Sequence, residues 1–302
     1  MHSSPARRLS GDDVAAAAQL ACLLEASAPK PGNVSPGRHF SDLRYEDFLA
    51  SAAAIGGPLA GADARPVGAT VRLAIEATSR WTRSNSNLGI VLLFVPLARA
   101  ALSGFDDLSA IALRGAVRTV LAATTVNDAR EVYAAIRLAR PGGLGQVDTQ
   151  DVSREPDVTL IDAMRLAADR DDVAREYVSG FEVTFEAGVP ALAEARSDGL
   201  SWDDAVVETF LTLLAARPDT HIARRAGPGP ARYVSERAGS VMAAGGVRSA
   251  RGQREIEAMD SELRDAAHSL NPGTTADLTA AAVFVGLLAG EWSPDPGAGS
   301  GQ

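Results

Sequence analysis

From Leu88 to Leu102 the chain carries a single charge, Arg99, and apolar side chains fall on every side of a helix drawn through it. Such a helix cannot face water on any flank, so the remaining chain has to be wound around it. The uncharged part, Leu88 to Ala98, contains Pro96 and stops at Arg99, too short a run to span a bilayer. The expectation is therefore a soluble fold built outward from one buried helix.

The flanking sequence supplies the wrapping. Ser10 is a good N-cap, with Asp12 and Asp13 in the first turn, and an Ala/Leu-rich helix follows from Val14 to Ser27. Tyr45 to Ile55 reads as a second helix, ended by Gly56-Gly57-Pro58, and Pro66 to Thr82 as a third. Beyond the buried run, Leu108–Ala123 and Val126–Ala139 are amphipathic. Arg140 to Pro156 has no period and carries Pro, Gly and Asp, so it is expected to be a long loop of the kind that often carries function. Helices are expected again at Val158–Ala168, Val173–Ala195, Trp202–Ala216, Pro230–Ala244, Arg251–Leu270 and Thr274–Trp292, with Pro190 kinking or splitting its segment.

No run alternates long enough for a sheet, and no fixed-period repeat is evident. The fold class is all-α: a single large, bundle-like, multi-helix domain over residues 10–292. Residues 1–9 are expected to be a flexible N-terminus, and the Pro/Gly/Ser-rich residues 293–302 a disordered tail.

Charge and cysteine content narrow the partners. The formal charge is −9 with no basic stretch, which argues against nucleic acid. Cys22, alone in an apolar run, can make neither an internal disulfide nor a cysteine metal cluster and is expected in the core. No apolar run behind Arg7-Arg8 suits a signal peptide, so the cytoplasm is expected, without a membrane partner. A homodimer is compatible with the sequence.

Lys and Arg total 29, and Lys30 is the one lysine among them. Codon bias can strip lysines, but an ammonium differs from a guanidinium in compactness and in its adjustable pKa, and those differences matter mainly in a site.

Polar residues gather in five breaks between helices. The first break holds Glu25, Lys30, Gly32, Asn33, His39 and Asp42, where two prolines stiffen Lys30 and Gly32 allows close backbone approach. It reads as a phosphate site or as a rigid connection. The second is Ser84-Asn85-Ser86-Asn87-Leu88-Gly89, at the start of the buried helix, where amides can cap the helix or hold a ligand. The third joins Asp128 to Pro141-Gly142-Gly143-Leu144-Gly145, Asp148 and Asp151, a glycine-rich stretch that could take a nucleotide with Mg²⁺. It is neither a GxxxxGK[ST] nor a GxGxxG motif. The fourth, Asp219-Thr220-His221 with Arg224, Arg225 and Gly227, suits metal–phosphate contacts or a surface ion pair. In the fifth, Asn271 to Asp277, Pro-Gly ends one helix and Thr274 or Thr275 caps the next, with Asp277 in its first turn. No paired-His spacing for zinc occurs, and His268 is expected to be structural or on the surface.

In this order the clusters resemble the triphosphoribosyl-dephospho-CoA synthase family, in a divergent branch similar to archaeal and C1-metabolism members. The resemblance runs from about Glu25 to Ala289. It rests on Glu25 with Pro29 to Val34, the Gly37-x-His39 step with a following Asp, Pro218-Asp219-Thr220-His221 with Arg225 and Gly227, and Pro272 to Leu278.

The resemblance implies an all-helical enzyme that uses ATP as substrate together with Mg²⁺. In the family's reaction the 2′-hydroxyl of 3′-dephospho-CoA displaces adenine from the ribose C1 of ATP. The products are 2′-(5″-triphosphoribosyl)-3′-dephospho-CoA and adenine, and the partner is a small nucleotide or CoA-like molecule. The implied catalytic groups are Glu25, His39, Asp42, Asp219 and Asp277, with Asp42, Asp219 and Asp277 also as metal ligands. The implied phosphate or nucleotide contacts are Lys30, Gly32, Asn33, Asn85, Asn87, Gly143, Arg224, Arg225, Thr274 and Thr275.

The pattern departs at Asn85-Ser86-Asn87-Leu88-Gly89, where the family usually carries Asn-Thr-His-Lys-Gly. Asp42 stands three residues after His39 rather than two. These departures keep two other readings open. One is a related enzyme acting on another phosphoribosyl substrate in biosynthesis of a pterin-type one-carbon carrier. The other is a catalytically inactive, nucleotide-binding helical protein.

Overall fold

The structure is a computed structural model and describes residues 8–104, 109–143, 145, 149–265 and 267–292. Of the segments 1–9 and 293–302, expected to be flexible, residues 1–7 and 293–302 lie outside these, as do Leu144 and Asp148 of the third cluster.

The helices are α1 (Gly11–Ser27), α2 (Tyr45–Ala60), α3 (Val67–Ser79), α4 (Leu88–Ala101), α5 (Ala110–Ala122), α6 (Val126–Ala139) and α7 (Leu160–Ala167). They continue as α8 (Asp172–Ser179), α9 (Val189–Ser197), α10 (Trp202–Ala216), α11 (Thr220–Ala226), α12 (Pro228–Ala243), α13 (Ala250–Leu263) and α14 (Gly273–Leu288). Among the described residues there is no strand, only an isolated bridge between Ser35 and Arg38. The all-α expectation holds.

The apolar run is α4, and it is central as expected. It packs against α1, α2, α3, α5, α8 and α14. Its closest counterpart is α14, also buried nearly throughout and ringed by α1, α4, α8, α9, α10 and α11. The Phe94 and Phe284 rings stack with centroids 4.4 Å apart, an arrangement worth roughly 0.5–1.5 kcal/mol beyond the area it buries. Gly89 lies against Asp277 at the start of the same pair, so α4 and α14 run in the same direction. Their N-termini therefore reach the same end of the bundle, where the exit of α1 also arrives.

Several boundaries differ from expectation. Helix α2 runs through Gly56-Gly57-Pro58 to Ala60. Gly56 lets it lie against α1, where a Cβ would meet the Gln19 amide nitrogen at 2.7 Å, and that packing outweighs the breakers. In the segment expected at 173–195 the break is not at Pro190. It falls at Gly180 and Phe181, both left-handed at φ 66° and 59°. Pro190 follows a π turn, Thr184–Gly188, and sits in the first turn of α9, where its missing N–H costs little. Helix α13 stops at Leu263, and the chain to Pro272 folds back over the α1–α2 loop. There His268 stacks on Phe40 with ring centroids 4.1 Å apart, a structural role as expected.

Candidate active site

The loop Pro29 to Val34 leaves α1 and is held from below by α13. Gly32 has φ 76° and donates its N–H to Asp260 Oδ1 at 2.8 Å. A Cβ there would stand 3.0 Å from Leu263, so the turn and the packing already call for glycine. Arg264 ties the same loop down through the Asn33 carbonyl at 2.7 Å.

Lys30 is 1 % exposed and does not line the cavity. Its ammonium lies 3.0 Å from Glu25 Oε1 and donates to the carbonyls of Ala28, at 3.2 Å, and Glu25. All three of its protons are thus used on the last turn of α1 and on one carboxylate. The expected phosphate role is not what this geometry provides. Lys30 orients Glu25, and Glu25 reaches the cavity.

That cavity has two lobes. The smaller lies between the α1 exit, the start of α4 and the start of α14, and is lined by Glu25, Asn33, Asn85, Asn87, Asn271 and Asp277, with Phe40 and Phe48 among its apolar contacts. The larger, of about 600 Å³, lies between α4, α6, α7, α8 and α11. Its polar lining includes Arg137, Arg140, Arg170, Asp171 and Arg224, and Pro141, Gly142 and Gly145 of the glycine-rich stretch. Asn85, Leu88, Gly89, His221 and Asp277 line both lobes and so form the junction.

The electrostatics of the junction follow from its burial. Burial first, and then the charges of Glu25, Asp219 and Asp171, push the Asp277 carboxyl well above the usual carboxylate range. His221 is pushed down to about 4 by burial and by Arg224 and Arg225, so it is neutral at pH 7. Three buried polar atoms of the lining lack a hydrogen-bond partner: Asn33 Oδ1, His221 Nε2 and Arg224 Nε. Most buried polar atoms in folded proteins are paired, so these three, out of eight such atoms among the described residues, are groups that a ligand in the cavity could satisfy.

Other expected site residues are placed elsewhere. His39 and Asp42 are exposed on the α1–α2 loop and line neither lobe. Asp219 is 2 % exposed, and its carboxylate is fully occupied. It accepts from Ile222 N at 3.0 Å as the cap of α11, and from Thr275 N and Oγ1, both at 2.7 Å, as the cap of α14. Neither threonine caps α14 with its own side chain, and Asp277 stands beyond the first turn. Thr275 is thus an anchor for Asp219, while Thr274 lines the larger lobe. Arg225 is exposed and donates to the Ala267 carbonyl at 2.9 Å. Gly143 lies against Arg224 and Arg225 without lining the cavity. Asp128 is buried as the partner of the N-cap Thr125 in the capping box of α6, accepts from Gly68 N at 2.8 Å, and lines neither lobe.

Asn85 caps the Leu88 N–H at 3.1 Å, and Asn87 donates to Thr78 Oγ1 at 3.0 Å. Arg224 pairs with Asp171, Nη1 to Oδ2 2.5 Å, and remains on the larger lobe. Sequence reasoning gave no role to His221, nor to Arg137, Arg140 and Arg170. His221 was visible beside Asp219, whereas the three arginines come from the end of α6 and the α7–α8 turn, and only the fold brings them to one rim.

The family model for ATP:dephospho-CoA triphosphoribosyl transferase matches residues 11–295. The chain belongs to this family. A curated family relative from Pseudomonas putida, named a probable 2-(5''-triphosphoribosyl)-3'-dephosphocoenzyme-A synthase, is 33% identical over 113 residues, which is 37% of this chain and 40% of that protein. The 2-(5''-triphosphoribosyl)-3'-dephosphocoenzyme-A synthase of Pectobacterium atrosepticum is 33% identical over 105 residues, 35% and 33% of the two chains. The match thus spans two fifths or less of these relatives' length. A solved structure from Archaeoglobus fulgidus, assigned as a triphosphoribosyl-dephospho-CoA synthase, superposes with a TM-score of 0.64 at 28% identity. It covers 80% of this chain and 99% of that one. Where the family resemblance expected a His-Lys pair, Leu88 places an apolar side chain on both lobes.

Proposed function

We propose that this chain transfers the triphosphoribosyl group of ATP to the 2′-hydroxyl of 3′-dephospho-CoA and releases adenine. The family match supports the reaction class. The observation that carries the reading is the junction, where a carboxyl with a raised pKa stands between a lobe lined by carboxamides and Glu25 and a lobe rimmed by arginine.

The chemistry suits such a junction. A bond forms between the acceptor oxygen and the ribose C1, the bond from C1 to the adenine nitrogen breaks, and the hydroxyl proton ends on adenine. Asp277 is the group placed to exchange protons at that point, since burial makes its carboxyl hold a proton more firmly than an ordinary carboxylate does, as a general acid or base requires. Glu25 adds a second carboxylate to the smaller lobe, and negative charge there stabilises the positive charge that develops on the ribose. The arginines of the larger lobe suit the triphosphate.

Mg²⁺ belongs to this reading as the ion carried by ATP, held by phosphate oxygens and water. Of Asp42, Asp219 and Asp277 only Asp277 lines the cavity, and among the described residues no cluster of three or more acidic, His or Cys side chains forms a metal site. The three do not make a metal-binding set, and no step is assigned to one. No helix among the described residues is long and apolar enough to cross a membrane.

The test is incubation with ATP and 3′-dephospho-CoA, with adenine followed by chromatography. One adenine per acceptor consumed is expected. Absence of adenine with this acceptor overturns the reading, and release that requires a different hydroxyl compound overturns the choice of acceptor.

A further inference from the structure

The two lobes differ in the charge of their linings. The smaller lobe is lined by the Glu25 carboxylate and by no Lys or Arg among the described residues, with Asp277 at its junction with the larger lobe. The nearby Lys30 is spent on Glu25 and on backbone carbonyls. A triphosphate placed there would face like charge without a counterion. The larger lobe carries cations as well as acids: Arg137, Arg140, Arg170 and Arg224 share its lining with Asp151, Asp171 and Asp277, Arg224 being paired with Asp171 and Arg137 with Glu155.

What the smaller lobe offers is suited to a flat neutral ring. Phe40 and Phe48 give apolar faces, and carboxamides surround them. Asn33 is 5 % exposed, and its Nδ2 donates to Asn271 Oδ1 while its own Oδ1 has no partner. Asn85 uses its Oδ1 on Leu88 N, which leaves its amide N–H groups for another acceptor. A ligand with an exocyclic amine next to a ring nitrogen would satisfy both kinds of group, and adenine is such a ligand.

We propose that the smaller lobe is the adenine subsite, with Asn33 Oδ1 accepting from the exocyclic amine, and that the triphosphate extends into the arginine-rimmed larger lobe. This rests on ATP being the substrate, as proposed above. Hypoxanthine carries an oxygen where adenine carries the amine. In ITP that oxygen would meet the acceptor Asn33 Oδ1 and leave both unpaired, so discrimination between ATP and ITP belongs to Asn33.

The test is direct binding to the full chain without acceptor, by titration calorimetry with ATP, ITP and inorganic tripolyphosphate. Wild-type protein is expected to bind ATP at least about tenfold more tightly than ITP, the range set by one unpaired buried group. Asn33→Ala is expected to remove most of that preference while tripolyphosphate binds as before. Arg224→Gln is expected to weaken ATP and tripolyphosphate together. Equal binding of ATP and ITP by the wild type overturns the assignment without needing any variant. So does an Asn33→Ala protein, folded by circular dichroism, whose preference is unchanged. These readouts need no turnover, so ATP-selective binding without adenine release would sink the reaction and keep the subsite, and adenine release without base selectivity would do the reverse.

Discussion

The carboxylate of Asp277 occupies the space that a side chain at Gly89 would take: a Cβ at position 89 would stand 2.0 Å from Asp277 Oδ2. The glycine in the first turn of α4 is thus the complement of the acid on α14. Gly89→Ala should leave the fold intact, because alanine suits a helix and the group displaced is the end of a side chain. The carboxylate, however, must move. A displacement of about 1 Å at a reacting group costs on the order of a hundredfold in rate. Thermal melts within a few degrees of wild type, with adenine release down at least tenfold, are the expected pair of results, and undiminished turnover would count against Asp277.

Asp277→Asn separates stability from activity. A carboxyl whose pKa is raised on folding holds its proton more tightly in the folded chain than in the unfolded one. Its contribution is fully present below the unfolded value of 3.8 and is lost as pH rises through the folded value. At pH 7 the asparagine variant should therefore unfold at higher urea than wild type, while its turnover falls by two orders of magnitude or more, the scale of acid–base catalysis. A variant less stable than wild type at pH 7 would contradict the burial argument.

The Glu25–Lys30 pair makes a different prediction. Lys30→Ala leaves Glu25 buried, 4 % exposed, without its counterion, a loss of about 3–5 kcal/mol in comparable buried pairs. Lys30→Arg should also destabilise, because a planar guanidinium cannot replace a compact ammonium among one carboxylate and two carbonyls. The double variant Glu25→Gln, Lys30→Met should recover much of the loss. Urea denaturation measures all three, and an unshifted Lys30→Ala midpoint would refute the pairing.

His221 gives a pH dependence with a definite sign. It titrates at about 4 when folded, against the ordinary 6.5 of an unfolded chain. Above 6.5 both states are neutral and its contribution is complete. As pH falls from 6.5 toward 4 the unfolded chain takes up a proton that the folded chain refuses, so stability drops, by up to about 3 kcal/mol. Below about 4 the contribution stays constant. In His221→Asn this component of acid sensitivity should vanish, which paired urea titrations between pH 4 and 7 would reveal as converging midpoints.

Where side-chain period and local caps decided the structure, the sequence was readable: α6 and α10 fall at the residues expected from pattern alone. Where tertiary contacts decided, it was not. Gly56 and Pro58 look like a stop until α1 is laid against α2, and Gly180 breaks its segment where Arg118 lies within 2.5 Å of the position its Cβ would take. The same division runs through the site. Asn33, Asn85 and Asp277 are legible because each stands in a short motif beside a helix end. The single lysine was a true signal with two meanings, since a buried ion pair needs a compact cation as much as a phosphate does. Asp219 was misleading for a related reason, as an acid preceding a short helix reads alike whether it caps one helix, caps two, or binds a metal.

The burial of Lys30 also makes the chain a reporter on itself. Its only side-chain amine is sealed among Glu25 and two carbonyls. Amine-directed reagents should leave that position unmodified in the native protein and mark it once the end of α1 opens. Mass spectrometry of a single peptide would then time the opening of this end of the bundle, without any engineered probe.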